Sequence, residues 1–306
     1  MVTTKQGPML EGEFRQRLIN GAYSIRGAGI YQLDKSYFTN GPGDRNFRGS
    51  VESSGQFAIT DKWVWGWDGL LLTDPTFLQD YRPRLSAYRI TDPYGLSGAS
   101  AGINQLYISG KGNRSYFDAR SIYYLGFSTA DVQSQIPVIH PVIDYTYTID
   151  RPVLGGEIGY NINFTSLTRN SANFDPITQS ALLTGTCAQT ADPAIKISAN
   201  CLLRGIPGTY SRFSAETHWR RNITDQFGQV FTPFASVRAD AASLQVKSDP
   251  GVSNFIDTGN SDLVRAMPTV GLEYRYPFIN VQSWGPQTVE PMAQVLYEAG
   301  DTATLR

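Results

Sequence analysis

Hydrophobic and polar positions alternate with a period of two along most of this 306-residue chain. The clearest run covers residues 139–169. Ile143, Tyr145, Tyr147 and Ile149 share one phase of its first arm, and Asp144, Thr146, Thr148 and Asp150 share the other. After a turn over 151–156, Ile158, Tyr160, Ile162 and Phe164 alternate with Glu157, Gly159, Asn161, Asn163 and Thr165. Successive side chains of a strand point to opposite faces, so this run predicts a two-faced β-hairpin.

The pattern recurs on both sides of that hairpin. Leu10, Gly12, Phe14 and Leu18 oppose Glu11, Glu13, Arg15 and Arg17, and Asn20–Gly21 then signals a tight turn into a strand over 22–34. A hairpin is predicted over 47–59 and 62–72, with Trp63, Trp65 and Trp67 on one face of its second arm. Residues 73–83 predict a loop or short helix, 96–110 a weakly periodic strand, and 114–126 a strand. Further arms are predicted over 210–223, 229–241, 267–278 and 288–298, with Phe234 interrupting the polar phase. Residues 170–208 carry Pro, Gly, Thr, Ser and both cysteines without a sustained period, which predicts an irregular loop insertion.

The predicted arms are about 10–15 residues long, where soluble strands usually have about 5–6. A strand that crosses the hydrocarbon layer at a tilt needs about 9–11 residues. Composition supports the membrane reading. Charged residues make up 17% of the chain, below the usual quarter or so, and the formal net charge of −1 gives no sequence-wide pull toward nucleic acid. The charges fall in the non-apolar phase of the strands, where a wet barrel interior tolerates them and lipid at mid-depth does not. The predicted fold is therefore all-β: an antiparallel transmembrane β-barrel of about a dozen long strands, part of a larger barrel and not expected to close on its own. On this reading Glu11, Glu13, Arg15, Arg17, Asp144, Glu157, Asn161, Arg238, Glu273 and Arg275 face the lumen. Ile143, Tyr145, Tyr147, Ile158, Tyr160, Ile162, Trp63, Trp65 and Trp67 face lipid.

Motifs for covalent chemistry are absent. His140 and His218 lie on different predicted strands in no metal spacing, and there is no nucleophile elbow, P-loop or dinucleotide fingerprint. Asp144 and Glu157 could face each other as the paired carboxylates of a glycoside hydrolase, but so many charges share this phase that the pair has little specificity. No enzyme activity, cofactor or metal is expected. Cys187 and Cys201, with thirteen residues between them, could close a local disulfide in an oxidising compartment or remain free thiols. No apolar stretch reaches the 18 or so residues of a transmembrane helix, and no signal-peptide apolar region is visible at the N-terminus. The residues alone leave three classes open: a transport or assembly barrel, a porin or nutrient receptor, and a secreted soluble β protein that binds glycans through its three indoles.

Several segments resemble one family. HPVIDYTYTIDRPVLGGEIGYNINFTSLTR at 140–169 resembles the outer-membrane lipopolysaccharide-assembly protein LptD, in its alphaproteobacterial form. So do TDPTF at 73–77, FGQVFTPFASVRAD at 227–240, MPTVGLEYRYPF at 267–278 and QTVEPMAQVLYEAG at 287–300. The resemblance implies a very large outer-membrane barrel that inserts lipopolysaccharide into the outer leaflet. It implies an LptE-type plug lipoprotein inside the barrel, periplasmic bridge proteins that deliver the lipid through an N-terminal jelly roll, and a lateral gate between the first and last strands. Residues 1–306 would then be a partial barrel domain surrounded by outer-membrane lipid, lacking the jelly roll and the closing strands. The family's long-range cysteine pairs do not match Cys187 and Cys201, and no functional residue is carried over.

Overall fold

The computed structural model describes residues 2–3, 6–88, 101–129, 131–177, 201–247, 252–256, 259–299 and 304–305. Twelve strands of seven or more residues follow one another in an antiparallel meander. They are β1 (Gly7–Leu18), β2 (Gly21–Tyr31), β3 (Phe47–Thr60), β4 (Trp63–Leu72), β5 (Ala101–Lys111) and β6 (Ser115–Gly126). The series continues with β7 (Val138–Thr148), β8 (Glu157–Arg169), β9 (Gly208–Arg220), β10 (Val230–Val246), β11 (Asn260–Arg275) and β12 (Met292–Glu298). With the short strand Val2–Thr3 at one edge they make a single thirteen-strand path that does not close among the described residues. The fold is thus all-β, an open antiparallel sheet of the kind a partial barrel makes, as the alternation predicts. No helix among the described residues is long and apolar enough to cross a membrane.

The register keeps the two phases apart through the middle of the sheet, with β-bulges shifting it at 58–60 and, between β6, β7 and β8, around 120–122 and 139–142. Directly paired residues share a face. One row runs Trp63, Gly110, Phe117, Tyr145, Ile162, Ala215, Ala239, Ala266 from β4 to β11. A row on the other face runs Ser109, Asp118, Asp144, Asn163, Ser214, Asp240, Arg265. A one-residue slip at any pair would mix these rows, so the pattern itself specifies the register.

Several large rings sit on a directly opposite glycine. Gly55 pairs with Trp67, Gly110 with Trp63 and Gly271 with Phe234. A Cβ on Gly55 would come 2.5 Å from the Trp67 ring, and one on Gly110 would come 2.6 Å from that of Trp63. The glycines are needed for this close approach. They also account for Phe234, which interrupts the polar phase because it lies across the bare backbone of Gly271.

The two ends of the sheet differ. At one end the connections are 19–20, 61–62, 112–114, 149–156 and 221–229, then 276–291, which holds the hairpin Phe278–Gln282 with Gly285–Val289. At the other they are 32–46, 73–100, 127–137, 170–207 and 247–259. We refer to a short-turn end and a long-loop end. The insertion over 170–208 is less irregular than its composition predicts, since Asn173–Pro176 pairs with Cys201–Gly205. The strand predicted over 229–241 runs five residues further, because Ala242 to Val246 keep pairing with both neighbours or with β9.

Replacing Gly55 with Val should push Trp67 off its seat and destabilise the β3–β4 hairpin by about 1–3 kcal/mol, as overpacking does. The check is the temperature at which the folded, heat-modifiable form is lost on a gel. An unchanged temperature would show that the ring does not need the bare backbone.

Candidate functional site

The polar face is the candidate site. It carries every residue predicted to face the lumen. Glu11, Glu13, Arg15 and Arg17 lie on β1 in the phase that pairs with Ala28, Arg26, Ser24 and Ala22. Asp144 on β7 is opposite Asn163, and Asn161 on β8 is opposite Thr146 on one side and Glu216 on the other. Glu216 is in turn opposite Arg238 on β10, and Glu273 on β11 is opposite Thr232. Arg275, two residues further along β11, shares the phase of Glu273. The opposite face collects Ile143, Tyr145, Tyr147, Ile158, Tyr160, Ile162, Trp63, Trp65 and Trp67. Trp65 and Trp67 both stack on Phe57, with ring centroids 5.5 Å and 5.8 Å away.

Charges on the polar face are mostly tied to one another. Glu13 accepts from Arg15 at 2.7 Å and from Arg26 at 2.8 Å. Asp118 holds Arg120, and Asp144, its directly paired neighbour, is bonded by the Asn163 amide at 2.6 Å. Asp240 accepts from Ser214 and, at 2.8 Å, from Arg265, and also pairs with Arg238. Arg275 pairs with Glu273 at 2.9 Å. The carboxylate pair considered from the sequence does not form. Asp144 meets Asn163, while Glu157 meets Arg114 at 2.8 Å near the short-turn end. Among the described residues no group of three or more His, Cys, Asp and Glu could hold a metal ion. Of the two cysteines, Cys201 is buried at the start of Cys201–Gly205, and Cys187 lies outside the described residues.

At the long-loop end this face is covered. Met9, Ile30 and Leu70 occupy the polar phase there, and with Phe77, Leu78, Tyr81 and Phe127 they form the hydrophobic core of the described structure. The short helix α1 (Phe77–Tyr81) lies in that core. Its loop is fastened by one fully buried cation. Arg48 donates a fork to Asp74, Nε at 2.8 Å and Nη2 at 2.6 Å, and Nη2 also reaches Thr76 at 2.9 Å and Asp80 at 2.7 Å. Its guanidinium carbon is 4.7 Å from the Phe38 ring centroid and 5.1 Å from that of Tyr81. The Tyr81 hydroxyl donates to Gln32 Oε1 at 2.7 Å, and the Gln32 amide donates to the carbonyls of Gly43 and Arg45. Further along, Glu11 accepts from the Leu85 N–H at 3.1 Å, and Glu52 accepts from Ser86 and from the Ala87 N–H. Tyr88 bonds the Ile103 backbone. Residues 73–88 therefore lie across β1 to β5 on the polar face.

The alternation alone puts Arg48 and Glu52 in the polar phase as solvated charges, and the loop or short helix expected over 73–83 contains α1. The signal was present in TDPTF. Asp74 takes the Arg48 fork, Thr76 adds an acceptor, and Phe77 fills the core. What the alternation cannot show is that a loop folds back onto a strand face.

Burial pushes the Asp74 carboxyl up, but the hydrogen bonds and charge of Arg48, with those of Thr76 and Thr73, outweigh it and hold the group below its ordinary value. Burial pushes the Tyr81 hydroxyl up, so it stays a donor to Gln32.

Comparison with known proteins now decides the family. The model of the family described as "LptD: LPS transport system D" matches residues 46–303, most of the chain. The chain belongs to the LptD family. That membership assigns it to outer-membrane lipopolysaccharide assembly, a transport and assembly role. No curated protein matches the sequence.

Two outcomes test the loop anchor. Asp74→Ala leaves Arg48 buried without its main partner and should cost about 3–5 kcal/mol, seen as protease cleavage within 73–88 at neutral pH. In the unsubstituted protein the Asp74 carboxyl is below its unfolded value of about 3.9, so its stabilisation is present above that pH and fades as pH falls below it. Cleavage within 73–88 should therefore rise below about pH 4 in the parent and show little further pH dependence in the variant. Equal protection of both proteins at neutral pH would refute the anchor.

Proposed function

We propose that this chain is a length of barrel wall in the lipopolysaccharide translocon of the outer membrane. Its polar face lines the passage and its apolar face meets lipid. One observation carries the reading: a polar row from β5 to β11 and an apolar row from β4 to β11 run side by side through the middle of the sheet without mixing. A soluble sheet needs such separation only where one face is packed on a core. Here the large apolar side chains of one face, including Phe14, Val51, Phe213, Val237, Val270 and Val295, are exposed. A hydrocarbon layer would cover such residues without any further protein.

The difference between the ends gives an orientation. In outer-membrane barrels short turns lie in the periplasm and long loops at the cell surface. The covered half of the polar face then lies near the cell surface, and the open half is entered from the periplasm. Lipopolysaccharide passes along this face, delivered by periplasmic bridge proteins, and an LptE-type plug lipoprotein sits against the paired charges of the interior. Such a role requires binding and release of the lipid and no covalent step.

Arginine at Tyr145 or Tyr160 would face mid-bilayer and should cost about 2–4 kcal/mol, whereas alanine at Asp144 or Asn161 should be tolerated. The readout is the amount of protease-resistant, heat-modifiable protein in the outer membrane of cells expressing each variant of the full-length gene. Equal losses in the two sets would contradict the assignment of faces.

A further inference from the structure

Four arginines meet at the short-turn end around a cavity of about 320 Å³, between the turn 149–156 and the connection that follows β9. They are Arg114, Arg151, Arg220 and Arg221, with Asp150 and Glu157 beside them. Four positive charges and two negative ones leave a net charge of +2. The pairing is uneven. Glu157 takes Arg114 at 2.8 Å and lies 3.8 Å from Arg220, and Asp150 is 3.7 Å from Arg114. The Arg221 guanidinium donates only to a neutral group, the Leu154 carbonyl, at 3.3 Å. Arg151 has no hydrogen-bond or ion-pair partner among the described residues. Elsewhere on the sheet the arginines of the polar face are largely matched by carboxylates, as Glu13, Asp118 and Asp240 show.

The cavity wall is fixed in place. Val153 and Gly156 exchange both backbone hydrogen bonds at 2.9 Å, closing a turn whose central residues Leu154 and Gly155 have φ of 53° and 73°. Trp219 on β9 donates its indole N–H to the Val153 carbonyl at 2.9 Å. The Arg221 guanidinium lies so close to Gly155 that a Cβ there would be 2.9 Å from its central carbon. Turn, indole and guanidinium are thus held together, and the two unneutralised forks border a preformed space.

We infer that this cavity is a binding site for a phosphate-ester anion. Guanidinium forks match phosphate oxygens in pairs, and a dianionic phosphate would cancel the net charge of +2. On the orientation proposed above, the site is at the periplasmic rim of the barrel wall. Two sources present this chemistry there: the phosphorylated sugars of lipopolysaccharide on arrival, and the phospholipid headgroups of the inner leaflet. The location rests on the proposed function; the binding chemistry does not.

The test uses the full-length protein in detergent. Glucosamine 6-phosphate is the probe, and glucosamine is its phosphate-free counterpart. Binding is measured by calorimetry for the parent and for the double variant Arg151→Gln, Arg221→Gln. Retention of the heat-modifiable form confirms that the variant folds. The expected result is binding of the phosphorylated sugar only, weakened at least about tenfold in the folded variant and weakened by added salt. A second arm measures competition by nanodiscs containing phosphatidylglycerol. Competition assigns the site to the headgroups as well, and its absence assigns it to the phosphorylated sugar. Equal binding by parent and folded variant, or equal binding of the two sugars, would overturn the inference. A negative result here would leave the outer-membrane assembly of the face variants untouched, so the two failures are separable.

Discussion

The structure depends on long strand ladders that satisfy the backbone from strand to strand between the two open edges of the sheet. In lipid an unpaired N–H or C=O has no water to turn to, so a spanning sheet must pair continuously and each strand must be long. Eleven of the twelve main strands have ten or more residues, and β10 and β11 pair over sixteen consecutive positions. Continuous pairing fixes the register, and the period of two then sorts every side chain onto one of two faces. Phe164, Phe213 and Ala241 share a row, and one residue along each strand Asn163, Ser214 and Asp240 share the next. Glycine completes the arrangement where a ring needs the backbone, as at Gly55 beneath Trp67.

With the faces fixed, the polar face differs along its length. At the long-loop end it is covered over β1 to β5 by residues 73–88, which Arg48 fastens through Asp74, Thr76 and Asp80. A cation so deeply buried is tolerable only because both of its forked donors find carboxylates and two rings flank it. At the short-turn end the face is open and bears arginines in excess of carboxylates. The middle is a lattice of paired charges centred on residues such as Asp118 and Asp240.

The alternation of polar and apolar residues was enough to read the strands, their faces and the pairing of the hairpin over 139–169, because a period of two is a direct imprint of a sheet. The composition of 170–208 concealed the short pair Asn173–Pro176 and Cys201–Gly205, which is too brief to show a period. The role of Arg48 was hidden for another reason. Its phase is that of Glu52 and Ser54, which predicts a solvated charge, and only the return of the loop onto β3 makes it a buried one. The arginine site at the short-turn end was equally invisible. Arg114, Arg151 and Arg221 come from three connections and Arg220 from the end of β9, and only the register of β6 to β9 brings them together.

The most direct measurement of the central claim is the environment of single spin labels placed along β7 and β8 of the full-length protein in bilayers. Labels at 143, 145 and 147, and at 158, 160 and 162, should collide with dissolved oxygen and be shielded from a water-soluble nickel complex. Labels at 144, 146, 159 and 161 should show the reverse, giving a period of two in accessibility. A uniform profile along either strand, or an inverted one, would contradict a wall with lipid on one side and a wet passage on the other.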